Sequence, residues 1–184
     1  DEETDNKTYL DYLLRSGWLW RDFNVDEGID WQSYGDWNWF GFIADHEMDY
    51  VVDEDGFVWC KQEEIENALE EHLDIDAAEL RTQTNYYDAK KEMYRIPEGW
   101  DPGLVWYALL DSRQEGNLLY IESTLYDATR KDAVMGTALT TIRLEGDGWK
   151  ILSNTFPYKT AEDLFREKID LNNRAFSFHC EEPG

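Results

Sequence analysis

The stretch Leu104–Phe156 reads LVWYALLDSRQEGNLLYIESTLYDATRKDAVMGTALTTIRLEGDGWKILSNTF. Four runs rich in β-branched, aromatic and aliphatic residues stand out in it: Leu104–Ser112, Leu118–Tyr126, Val134–Leu144 and Trp149–Phe156. Each is the length of a strand, and each gap is a cluster of turn formers: Gln114-Glu115-Gly116-Asn117, then Asp127 to Asp132, then Gly146-Asp147-Gly148. Connections this short join neighbouring antiparallel strands, so the stretch predicts a four-stranded meander. In the second run Ile121, Ser123 and Leu125 share one face, while Leu119, Glu122 and Thr124 do not sort into one simple class.

Upstream, Tyr9, Leu10, Leu13 and Leu14 recur at helical spacing and stop near Gly17, which predicts an amphipathic first helix. Trp18 to Phe42 is aromatic and weakly periodic. Tyr50-Val51-Val52 and Phe57-Val58-Trp59 flank Asp53-Glu54-Asp55-Gly56 and predict a hairpin, the Asp-Gly pair suiting a turn with positive φ. Ile65, Leu69 and Leu73 mark the buried stripe of a helix over Gln62–Leu73, with carboxylates in its first turn where the helix dipole favours them. Tyr86-Tyr87 and Met93–Ile96 predict a second short hairpin about Asp88–Lys91.

Downstream, Thr160 and Asp163 form a Thr-x-x-Asp capping box for a last helix that buries Leu164, Phe165 and Ile169, and the tail from Ala175 to Cys180 returns as a short strand. The predicted fold class is α+β, with N-terminal helices packed on one face of a curved antiparallel sheet and a final helix. One domain covers 1–184: a helical and aromatic layer with one hairpin over 1–85, the meander over 86–156, and a C-terminal helix and tail over 157–184.

Composition restricts the partners. The chain has 184 residues, 42% hydrophobic and 15% aromatic, too much apolar surface for a chain that stays unfolded. Against 17 Lys and Arg stand 41 Asp and Glu, a net charge of -24. Such a field repels phosphate backbones and anionic membranes, and leaves cations, basic proteins and neutral ligands such as glycans. The same charge also serves simply to keep a surface soluble. No run approaches the ~18 apolar residues of a membrane span, so no transmembrane segment is expected. Cys60 and Cys180 are the only cysteines; they either close one long-range disulfide or remain two buried thiols.

Candidate sites follow from residue types. Asp22, Asn24 and Asp26 place oxygen side chains at alternate positions, a spacing that can converge on calcium. The EF-hand pattern then fails, because Glu27 stands where glycine is needed, Gly28 is one place late, and Ser33 replaces the closing glutamate. Trp31, Trp37 and Trp39 offer flat rings among polar neighbours, fit either for stacking on a sugar or for the core, and Trp106 is the fourth ligand-binding candidate. Glu122 and Glu145 lie on predicted strands, where a carboxylate turned inward beside Trp106 or Tyr107 would have a raised pKa. His46, His72 and His179 are scattered, and neither H-E-x-x-H nor G-x-S-x-G occurs, so no catalytic residue is assigned.

Two resemblances accompany these residues. Asp55-Gly56-Phe57-Val58-Trp59, the helix Glu63–Leu73, Tyr86-Tyr87-Asp88, Met93–Pro97 and Asp147–Ser153 together resemble, over residues 55 to 156, uncharacterised secreted lipoproteins of gut-type bacteria. That helix commonly ends in Phe-Gly in those proteins, where this chain has Leu73-Asp74. The ending Gly148-Trp149-Lys150-Ile151-Leu152-Ser153 is similar to the last strand of the nuclear transport factor 2-like superfamily, which implies a cone with a hollow between helices and sheet. Together they imply an extracytoplasmic chain, secreted or lipid-anchored. The expected function is a module that binds a small molecule, a glycan or a protein; a pocket-based enzyme of the cone fold and a structural domain of an envelope protein are the alternatives.

Overall fold

Gly116 and Gly146 sit at the tips of two tight hairpins with φ of 64° and 55°, in the left-handed region that costs glycine least. They fix the folding-back of the quoted stretch. A computed structural model of the chain describes residues 2–31, 42–43, 46–97 and 105–177. In it β6 (Val105–Glu115), β7 (Leu118–Asp127), β8 (Ala133–Glu145) and β9 (Gly148–Lys159) form the expected antiparallel meander. A two-residue strand β1 (Phe23–Asn24) adds to its edge, giving the order β1-β9-β8-β7-β6.

The last strand runs past Phe156, where the sequence predicts its end. Thr137 pairs with Lys159 and Leu139 with Thr155, so Phe156, Pro157 and Tyr158 all bulge opposite Ala138. A bulge is where a strand tolerates proline, which has no N–H for the ladder. Gly136 leaves room for it, since a Cβ there would lie 2.9 Å from Pro157 Cβ.

Strands β2 (Tyr50–Val52), β3 (Phe57–Lys61), β4 (Tyr87–Asp88) and β5 (Met93–Pro97) make a second sheet in the order β2-β3-β5-β4. Sequence order groups the Tyr86–Ile96 hairpin with the meander. Instead β5 pairs with β3 from Phe57↔Pro97 to Lys61↔Met93. The reason lies in the intervening α2 (Gln62–His72) and the single turn α3 (Leu80–Gln83), which carry a buried polar lock. Glu66, only 7% exposed, accepts from Arg81 Nε at 2.6 Å, Arg81 Nη2 at 2.5 Å and Tyr94 Oη at 2.8 Å. Tyr87 Oη hydrogen-bonds with the Gln62 side-chain amide beside it. One carboxylate thereby joins α2, α3 and β5, and burial together with that carboxylate pushes the Tyr94 phenol pKa upward.

Helix α1 (Glu2–Arg15) ends at Gly17, whose φ of 78° completes a Schellman cap: Trp18 N donates to Leu13 O at 2.9 Å and Gly17 N to Leu14 O at 3.2 Å. Helices α1 and α2 lie on the inner face of the five-stranded sheet. Leu10, Leu13, Ile65 and Leu69 bury completely with Ile121, Leu125, Ile142 and Ile151, each contributing roughly 1.5–3 kcal/mol. Tyr107 Oη donates to Asp11 at 2.7 Å, and Lys150 donates to Glu70 O, tying each helix to the sheet. The described residues between these layers are therefore packed side chains.

Helix α4 (Ala161–Ser177) begins with the predicted capping box: Asp163 N donates to Thr160 Oγ1 at 3.2 Å and Thr160 N to Asp163 Oδ2 at 3.1 Å. Its expected burial does not occur, since Phe165 is 65% exposed and Ile169 42%, with Leu164 half-buried. The inner face is already occupied by α1 and α2, so α4 is left to the outer face, where Glu167 meets Lys159 at 3.5 Å. Ala175–Ser177 continue this helix and are not a returning strand; Phe178–Cys180 lie outside the described residues. Among the described residues no helix is long and apolar enough to cross a membrane.

Candidate functional site on the outer face of the long sheet

Alternation along β6 sends Tyr107 inward to α1 and therefore Trp106 outward. There Trp106 stacks on its cross-strand partner Tyr126, with ring centroids 4.1 Å apart and planes 13° from parallel. Its Nε1 donates to Asp132 Oδ1 at 2.9 Å, which fixes the rotation of the indole. The residue nonetheless keeps 41% of its surface exposed. A large ring held on one face and at its only polar atom is preorganised to receive something on its other face.

Farther along the same face, a cleft of about 180 Å³ is lined by Asp111, Ser112, Arg113, Tyr120, Glu122, Leu139 and Tyr158. The bulge at Pro157 is what turns Tyr158 over it. Glu122 accepts from Lys159 Nζ at 2.8 Å, and this contact raises the Lys159 pKa, keeping the amine charged. Arg113 lies over the Tyr120 ring at 4.7 Å. Glu122 thus belongs to the cleft, but it faces outward and pairs with Lys159 instead of turning inward beside Trp106 or Tyr107. Glu145 lies at the exposed tip of the β8–β9 hairpin, taking Arg143 Nε at 2.6 Å, away from both Trp106 and Tyr107.

The other candidates part company with these residues. Trp31 is 1% exposed and packs edge-on to Trp18 at 6.0 Å, so its ring belongs to the core and is closed to a ligand. Trp37 and Trp39 lie outside the described residues. At Asp22, Asn24 and Asp26 the extended alternation breaks where Val25–Glu27 turns into 3-10 helix, and Asn24 Oδ1 is spent capping Asp26 N at 3.0 Å. Among the described residues no group of three or more His, Cys, Asp or Glu is placed to hold a metal.

His46 Nδ1 lies 2.8 Å from Phe42 O. His72 stacks on Trp149 at 3.9 Å and 10°, and burial lowers its pKa. Both therefore work as packing elements. Cys60 is a buried thiol 3.8 Å from Met48 Sδ; burial first, then the Glu64 carboxylate, push its pKa to about 12, so it is an inert side chain at neutral pH. Its proposed partner Cys180, like His179, falls outside the described residues.

Sequence reasoning missed Tyr120, Tyr158, Arg113 and Asp111. The one available signal was Pro157 directly after an apparent strand end, which marks a bulge when the strand continues. Comparison of this chain with protein-family models, with curated proteins and with solved structures finds no match.

Proposed function

We propose that this chain is an extracytoplasmic binding module whose ligand lies along the outer face of the five-stranded sheet. The observation that carries this reading is the fixed, exposed Trp106, sharing one face with the cleft under Tyr158. The extracytoplasmic setting rests on the sequence resemblance to secreted lipoproteins. At this face, binding is favoured over enzymatic chemistry by the size and shape of the cleft. At about 180 Å³ it falls below the roughly 300–1,000 Å³ that encloses a small substrate. Such a cleft grips one end or one edge of a larger ligand and leaves the rest in water, where electrostatic stabilisation of a transition state is weak.

A protein partner is the second reading, favoured by Leu110 and Val134, which are exposed apolar residues of the same sheet. The test is hydrogen-exchange mapping of the whole chain against a panel of neutral oligosaccharides, uronic-acid oligosaccharides and basic peptides. Protection confined to β6–β9 on ligand addition is the expected result. Protection that falls instead on α2 or the four-stranded sheet would overturn the assignment of the face.

A further inference from the structure

The polar groups of this face say what class of ligand it takes. We infer that the ligand is a neutral, linear oligosaccharide bound along β6, with one sugar stacked on Trp106 and another lodged in the cleft under Tyr158; this rests on the outer-face reading above.

Charge gives the first argument. The chain as a whole carries -24, and that field disfavours uronates, phosphates and sulfates. Inside the cleft the balance is different: Asp111 and Glu122 stand with Arg113, and Lys159 sits 2.8 Å from Glu122. Arg113 already pairs with Glu115 at 3.7 Å, and Lys159 is shared by Glu122 and Glu167, so each cation of the cleft has a carboxylate partner. A cationic ligand would have to compete with Lys159 for Glu122, and an anionic one with Glu122 and Glu115 for Lys159 and Arg113. A neutral ligand meets no such cost.

Hydrogen-bonding chemistry gives the second. Ser112, Tyr120 and Tyr158 carry hydroxyls that both donate and accept, Arg113 only donates, and the carboxylates only accept. A ligand that satisfies this mixture has many groups that themselves donate and accept, as sugar hydroxyls do. The flat rings supply the complementary half, because a pyranose also has an apolar C–H face that needs a ring to lie on. Trp106, backed by Tyr126 and pinned by Asp132, is such a platform with its orientation already fixed.

Spacing gives the third. Tyr126, under Trp106, and Glu122, in the cleft, are four residues apart on one strand and on the same side of it. At about 3.3 Å per residue they are roughly 13 Å apart. That exceeds one pyranose ring, so a ligand touching both is a chain of sugars; Thr124 between them on β7 is only 3% exposed, so the chain runs along the neighbouring edge strand β6, where Trp106 and Asp111 stand opposite Tyr126 and Glu122.

The experiment is titration of the intact chain, followed by tryptophan fluorescence and calorimetry, with gluco-, xylo- and manno-oligosaccharides from disaccharide to hexasaccharide and with uronic-acid chains of equal length. Affinity is expected to rise with length until both subsites are filled, and to be absent for the uronates. Trp106→Ala and Tyr158→Ala should each weaken the longer ligands roughly tenfold or more, the equivalent of about 1.4 kcal/mol, with Trp106→Phe retaining part of the loss. Melting temperature serves as the folding control for each variant. Neutral glycans that bind equally well to Trp106→Ala, or uronates that bind better than neutral chains, would overturn the inference. Basic peptides that bind in a Trp106-dependent way while no glycan does would overturn the ligand class and leave the outer-face reading standing. If nothing in the panel protects β6–β9, both fall.

Discussion

Replacing Asn154 tests how the chain before β1 is held to the sheet. Its side chain is fully buried on β9, and its Nδ2 donates to Leu19 O at 2.8 Å, Arg21 O at 2.8 Å and, more weakly, Trp18 O at 3.3 Å. Its Oδ1 accepts from Thr140 Oγ1 at 2.7 Å. The amide thus satisfies the carbonyls that leave α1 and allows Phe23 to pair with Asn154 in the sheet. Three good hydrogen bonds at about 1 kcal/mol each make Asn154→Ala cost roughly 3 kcal/mol, and somewhat more where a carbonyl stays dry. Against a typical total of ~5–15 kcal/mol this is a large loss, and at ~2–4 °C per kcal/mol for a chain of this size it lowers Tm by about 6–12 °C.

Asn154→Asp sharpens the test because its shape is unchanged. The donor becomes a carboxylate facing three carbonyl oxygens, an arrangement that disfavours the charged form and raises that carboxyl's folded pKa above its unfolded value. The variant's stability is therefore fullest below the unfolded pKa and is lost as pH rises through the folded one. Thermal melts from pH 4 to 8 should show the deficit of Asn154→Asp against wild type growing with pH. If Asn154→Asp melts with wild type at pH 7, the amide is not the clamp described here. Thr140→Ala, which removes one bond, should cost about 1 kcal/mol.

Glu66→Ala should destabilise by about 2 kcal/mol in urea melts, below the ~3–5 of a fully buried pair because the Arg81 side chain is 37% exposed; an unchanged midpoint would remove Glu66 as the lock between α2 and β5. For Asp53, burial tends to raise the pKa, but hydrogen bonds from Phe57 N, Trp59, Arg95 and Asp55 N outweigh it and hold it at about 2, below the ordinary 3.8. A depressed carboxyl stabilises above its unfolded pKa and loses that contribution as pH falls through the folded one. The Tm difference between wild type and Asp53→Asn should consequently narrow between about pH 4 and pH 2, and a gap constant over that window would refute it. Thr160→Ala should cost about 1 kcal/mol locally, seen as faster amide exchange in the first turn of α4 with little change in global Tm, because that helix is scarcely buried; cooperative loss of the whole fold would contradict its placement.

Much of this architecture is local information. Gly116 and Gly146 between β-rich runs, Gly56 after Asp55, the Ile65/Leu69/Leu73 stripe and the Thr160–Asp163 box each specify their element through turn geometry, periodicity or capping within a few residues, and each element appears where those signals place it. Trp106 could be named as a candidate, but Trp31 could be named on the same grounds, because a tryptophan's composition is the same on the surface and in the core. What separates them is the neighbour each meets: Tyr126 and Asp132 beneath an exposed ring, Trp18 against a buried one.

The α+β class, the meander and its order, the two early hairpins and the strong negative field all follow from patterns read along the chain. Long-range packing instead fixes that the second hairpin joins β3 and not the meander, that α4 leaves Phe165 and Ile169 in water, and that Tyr158 turns over Glu122 beside Lys159. Those outcomes depend on partners distant in sequence, Glu66 with Arg81 and Tyr94, or Lys159 with Glu122 and Glu167. Side-chain pairing across such distances is set by how the sheets and helices compete for the same buried faces, which no local periodicity encodes.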